Sequence, residues 1–190
     1  MFTPHLVTFA GGAAGPWRVD RVDAVRGESL AMVERIVVLE GAAVSVPVGT
    51  TWLLRGVASN TRYTTATERE ALAASQPALG RPEATKAALI PIRKADPWWD
   101  LAQDERRAIF EERSRHISTG LKYLPAIARR LHHSRDLSEP FDFLTWFEYA
   151  PADAGLFEDL VGRLRETEEW LYVEREVDIR LTQAHLLSSD

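Results

Sequence analysis

The chain has 190 residues, 45% hydrophobic and 27% charged, the balance of a globular protein with a core of its own. Its 23 Lys and Arg stand against 28 Asp and Glu, a net charge of -5 with no basic tract, which argues against nucleic-acid and membrane-surface partners. No cysteine is present, so disulfides, thiolate zinc sites, iron–sulfur clusters and thioether-linked haem are excluded.

The opening MFTPHLVTFAGGAAGPW has no basic stretch ahead of a compact apolar run, and no segment approaches the ~20 apolar residues of a membrane span. A cytoplasmic protein is the simplest expectation. One domain over residues 1–190 is expected, with a short, irregular N-terminal part over 1–55. There LVTFA and WRVDRV read as strands and GESLAMVERIVVLEG as a helix closed by Gly41.

TWLLRGVAS then reads as a strand, Thr65 through Ala74 as a helix, and ATKAALIPIRKAD as a buried strand. From Asp100, residues Leu101, Ile109, Phe110, His116, Ile117, Leu121 and Leu124 recur near a 3.6 period, which predicts one helix ending near Pro125. AIARRLHH alternates as a strand, putting Ile127, Arg129, Leu131 and His133 on one face. FDFLTWFEYA is a partner strand, Leu156 to Leu164 an amphipathic helix, and WLYVEREVDIRLT a half-buried final strand. Strands interleaved with about three helices predict an α+β protein with a mostly antiparallel sheet and helices packed on one side.

Few residues carry chemistry on their own. His116, at the margin of an apolar stripe, is ordinarily a packing residue and only a candidate ligand. Arg129, aligned with Ile127 and Leu131, must snorkel, pair with a carboxylate, or face a ligand. Glu169 in ETEEW and Lys94 in PIRKADPWW read as solvated charges. His132 and His133 point to opposite strand faces and cannot share one ion. No GxGxxG, P-loop, GxSxG or HExxH motif appears.

The segments PIRKADPWWDLAQDERRAIFEERSRHISTGLKYLPAIARRLHHSRDLSEPFDFLTWFEY and LRETEEWLYVEREVDIRL resemble the chlorite dismutase family, specifically its short, dimeric branch. The resemblance runs from about Gly56 to Leu181 and is weaker over the first fifty residues. It implies a ferredoxin-like antiparallel sheet with helices on one face, of the dimeric α/β barrel superfamily, and a homodimer with one haem b per subunit. The implied activity is the decomposition of chlorite to chloride and dioxygen, through ferryl and hypochlorite species that recombine to form the O–O bond.

On the same resemblance His116, in SRHISTGLKYLP, is the axial ligand of the haem iron. Glu169, in TEEW, accepts a hydrogen bond from the other ring nitrogen, and Lys94 completes that network. Arg129, in LPAIARRLHHSRDL, is the arginine on the substrate side, catalytic through its charge, and Gln76, in ASQPALGRPEA, hydrogen-bonds it. Asn60 and Tyr63, in SNTRY, and Trp98, in PWWD, resemble positions that meet the haem propionates or edge. Two alternatives stand beside this reading: a coproheme decarboxylase, which the chain resembles less, and a non-catalytic haem carrier or sensor.

Overall fold

Large apolar residues alternate along the strands in such a way that both faces of the sheet are covered. The computed structural model describes residues 5–58 and 64–184. In it, strands β1 (His5–Gly12), β2 (Trp17–Arg26), β3 (Arg35–Glu40), β4 (Thr50–Ala58), β5 (Lys86–Lys94), β6 (Ala128–His133), β7 (Phe143–Tyr149) and β8 (Val173–Gln183) form a closed barrel. On β7, Leu144 and Trp146 point inward to join Phe9, Trp17, Ile36, Leu54, Leu89, Val177 and Ile179 in the barrel core. Phe147 and Tyr149 point outward, to a second apolar layer with Ile90, Phe157, Leu160, Val161 and Leu164.

The antiparallel sheet expected from the sequence closes into an eight-stranded barrel. Going round it, the strands run β4-β1-β3-β2 and then β8-β5-β7-β6, and every pairing is antiparallel. Each half thus has the order fourth, first, third, second, so the barrel is two like-ordered sheets joined at β2–β8 and β6–β4. Closure removes the edges an open four-stranded sheet would leave unpaired.

Helices α2 (Asp96–Asp100), α3 (Gln103–Arg107) and α4 (His116–Leu121) connect β5 to β6, and α5 (Ala154–Arg165) connects β7 to β8. The second half therefore has the β-α-β-β-α-β pattern, and its helices cover the outer face of the sheet. Helix α1 (Ala66–Ser75) joins the halves; Thr65 and Glu68 form a capping box at its start. Arg107 grips Glu68 through two bonds of 2.8 and 2.7 Å, which ties α1 to α3. Among the described residues no helix is long and apolar enough to cross a membrane.

Three local expectations are corrected. GESLAMVERIVVLEG forms no helix: Arg35–Glu40 is strand β3, its Ile-Val-Val run pairing with β1 over Val7–Gly12. The helix expected from Asp100 is broken into α3, a π-helical stretch over Ala108–Arg113, and α4, with α2 ending at Asp100. The break at Arg115 is a backbone reversal, with φ of 52°. Finally, β8 is buried on both faces, since Glu176, Asp178 and Arg180 are covered by α5 and neutralised by Arg165 and Glu158.

Candidate active site

His116 opens helix α4 directly after the left-handed residue Arg115. The Glu111 carboxylate accepts the N–H groups of Ile117 at 2.6 Å and Ser118 at 3.2 Å, two of the donors a helix start leaves without partners. This fixes the first turn, and the imidazole with it. The ring is stacked on Phe110, centroids 4.3 Å apart, with Trp170 parallel to it at 6.4 Å.

His116 Nδ1 lies 2.7 Å from Glu169 Oε2, and Lys94 Nζ lies 2.8 Å from Glu169 Oε1. Glu169 sits in the 3-10 turn Glu168–Tyr172, where its own N–H donates to Ser114 Oγ at 2.9 Å. Lys94 ends β5, its N–H donates to Asp142 Oδ2 at 2.7 Å, and its ammonium lies 4.6 Å from the centre of the Trp98 ring. Both charges are buried, each residue 4% exposed. Burial alone would push the Glu169 carboxyl up. The charges of His116 and Lys94, with their hydrogen bonds, outweigh it and hold the group at about 2. A carboxylate held ionised beside Nδ1 keeps a ring proton on that nitrogen, which makes Nε2 the nitrogen available to a ligand.

His116 lines a cavity of about 470 Å³ between the barrel and its helices. Ile90, Thr145, Phe147, Arg129 and Leu131 form the wall on the sheet side; Leu72, Phe110, Ile117, Val161 and Leu164 face them from the helices. Arg129 and Leu131 of β6 stand in this wall, and Arg130, whose guanidinium pairs with Glu40 at 2.6 Å, also borders the cavity. Arg129 has no acidic partner among the described residues, and burial pushes its guanidinium pKa down. Of the three options open to it in the sequence, facing the cavity is the one the fold realises.

Gln76, just past α1, also lines the cavity, and its side-chain amide donates to the backbone carbonyl of Arg129 rather than meeting the guanidinium. Trp98 is 1% exposed and lies beneath Lys94, not among the cavity-lining residues. Asn60 and Tyr63 lie outside the described residues. Phe110, Glu111, Ser114, Asp142 and Trp170 support the site yet carry no signal in the sequence. Each acts through a partner brought near by the fold or by the backbone reversal at Arg115.

A family model described as chlorite dismutase matches residues 31–184. The chain belongs to the chlorite dismutase family. It is similar to dimeric chlorite dismutase from Nitrobacter winogradskyi, with 58% identity and a TM-score of 0.87 over 94% of this chain and 99% of that one. It is also 34% identical, over 86 residues, to a chlorite dismutase from Ideonella dechloratans. That match takes in 45% of this chain and only 28% of the relative's length. A mutant chlorite dismutase from Candidatus Nitrospira defluvii shares the fold, with a TM-score of 0.69 at 20% identity over 97% and 93% of the two chains. Membership of the chlorite dismutase family is thus carried mainly by the segment that builds β3 to β8, the α-helices and the cavity.

Proposed function

We propose that the protein decomposes chlorite to chloride and dioxygen as a homodimer, using one haem b per subunit held by His116. The observation that carries this reading is one cavity with the imidazole of His116 on its helix side and Arg129, which has no acidic partner among the described residues, reaching into it from the sheet side. The relatives described as chlorite dismutases, one of them dimeric, support the substrate and the assembly.

The donor set fits haem. A bare transition-metal ion needs several protein ligands, and no group of three or more His, Cys, Asp or Glu suited to one occurs among the described residues. An iron porphyrin brings four nitrogens of its own and would ask the protein for one donor side chain and an apolar slot. His116 offers the first, and Ile90, Phe147, Ile117, Val161 and Leu164 the second.

Bound haem supplies the iron redox chemistry by which both oxygen atoms of chlorite leave as dioxygen and chlorine leaves as chloride. The chain's own residues set the conditions. Glu169 accepts a hydrogen bond from His116 Nδ1–H and so raises the electron density on Nε2, while Lys94 fixes the carboxylate in place. Arg129 keeps its charge and offers a planar fork, which suits chlorine oxyanions better than a lysine ammonium would. Its charge, set in a largely apolar cavity, would hold the chlorine oxyanion there. Leu131 and Phe147 keep water from the same wall.

The test is oxygen release on a Clark electrode from haem-loaded protein given chlorite, beside the haem-free protein. Rapid, haem-dependent release is expected. Haem binding without oxygen would overturn the reading in favour of a haem carrier or a decarboxylase.

A further inference from the structure

Gly120 lies in the last turn of α4, four residues after His116 and so on the same helix face. It is buried, and it faces Arg129: a Cβ built on it would stand 2.8 Å from Arg129 Nη1 and 3.3 Å from both Cζ and Nη2. Carbon atoms of a real side chain do not approach that closely. The guanidinium therefore occupies the space that any other residue at position 120 would fill. The last-turn carbonyls of a helix carry partial negative charge, which favours a cation there and suits an arginine with no carboxylate partner.

We propose that Gly120 is a positioning residue for the reaction: the bare stretch of helix one turn beyond His116 is the seat that sets how far Arg129 reaches across the cavity. This inference rests on the reading of Arg129 given above. Its logic is separable from that reading, because the atoms nearest a Cβ at Gly120 belong to the end of a flexible side chain. An added methyl group can be accommodated by moving the guanidinium, with helix and barrel left in place.

The experiment is a double-mutant cycle on haem-loaded protein, comparing wild type, Gly120→Ala, Arg129→Ala and the double variant. Fluoride binding is read from the visible absorption spectrum, and KM and kcat for chlorite are measured alongside. Gly120→Ala should raise the fluoride Kd about tenfold, the scale of strongly coupled contacts, and raise KM more than it lowers kcat. In the Arg129→Ala background the same change should leave the fluoride Kd unaltered. Wild-type fluoride affinity in Gly120→Ala, with Arg129→Ala impaired, would overturn the seat and leave the reading of Arg129 intact. Equal losses in both backgrounds would also overturn it, by showing that Gly120 acts on the helix itself. Wild-type behaviour of Arg129→Ala would overturn both. Should Gly120→Ala fail to take up haem, recovery in the double variant supports the contact and no recovery overturns it.

Discussion

Lys94 Nζ and Glu169 Oε1 lie 2.8 Å apart, with side chains 3% and 6% exposed. Withdrawing Glu169 strands the ammonium, and withdrawing Lys94 leaves the buried carboxylate with the His116 imidazole as its one remaining side-chain partner among those described above. Lys94→Met should therefore destabilise the haem-free protein by about 3 kcal/mol, the scale for breaking one side of a buried pair. Chemical denaturation checks this, and a loss below about 1 kcal/mol would show that the pair is not sealed from water.

The same carboxylate gives a pH signature. Glu169 is held at about 2 against its ordinary 4.5, so the folded state favours its ionised form. The stabilisation is fully present above pH 4.5 and is lost as the pH falls towards 2. At about 1.4 kcal/mol per pH unit, that window is worth about 3 kcal/mol. His132 contributes at milder acidity: burial holds it at about 4 against 6.5, although its ring meets the Leu144 carbonyl. The unfolded chain therefore takes up a proton first, and stability falls between pH 6.5 and 4. Acid titration of stability should show both windows in the wild type and only the upper one in Glu169→Gln.

Arg129→Ala should bind haem and lose oxygen release by at least about tenfold, since a hydrogen bond to a charged group is worth about 1.5–3 kcal/mol. Arg129→Lys should recover part of the loss, because it keeps the charge and gives up the fork. Oxygen-electrode rates on matched haem-loaded samples check both variants. Equal rates in Arg129→Ala and wild type would remove Arg129 from the chemistry.

Barrel closure has its own test at Gly56 on β4. A Cβ there would stand 2.7 Å from His132 Cβ and 2.9 Å from Ser134 Oγ, both in or beside β6. Gly56→Ala should cost about 1–3 kcal/mol through overpacking of the seam between the two halves. Thermal unfolding checks it, and an unchanged Tm would contradict the close approach of β4 to β6.

The sequence made some of this legible and hid the rest for physical reasons. Alternation in AIARRLHH placed Arg129 beside Leu131, and both line the cavity, although Arg130 from the other face borders it as well. The closed barrel left no such trace, because β2–β8 and β4–β6 join strands far apart in the chain and pairing of that range imprints no local period. The helical spacing of Leu101 to Leu124 concealed the reversal at Arg115, since a change of φ at one residue does not alter where apolar side chains recur. Glu169 looked like one of several solvated acids in ETEEW until folding brought Lys94, 75 positions earlier, against it. The family resemblance pointed to both residues where periodicity was silent.

The measurement that tests the central claim most directly is the yield of dioxygen and chloride per chlorite consumed, in haem-loaded wild type and His116→Ala. The account predicts one dioxygen and one chloride for each chlorite in the wild type, with both falling away in His116→Ala. Full yield from His116→Ala, or chlorite loss without matching dioxygen in the wild type, would contradict it.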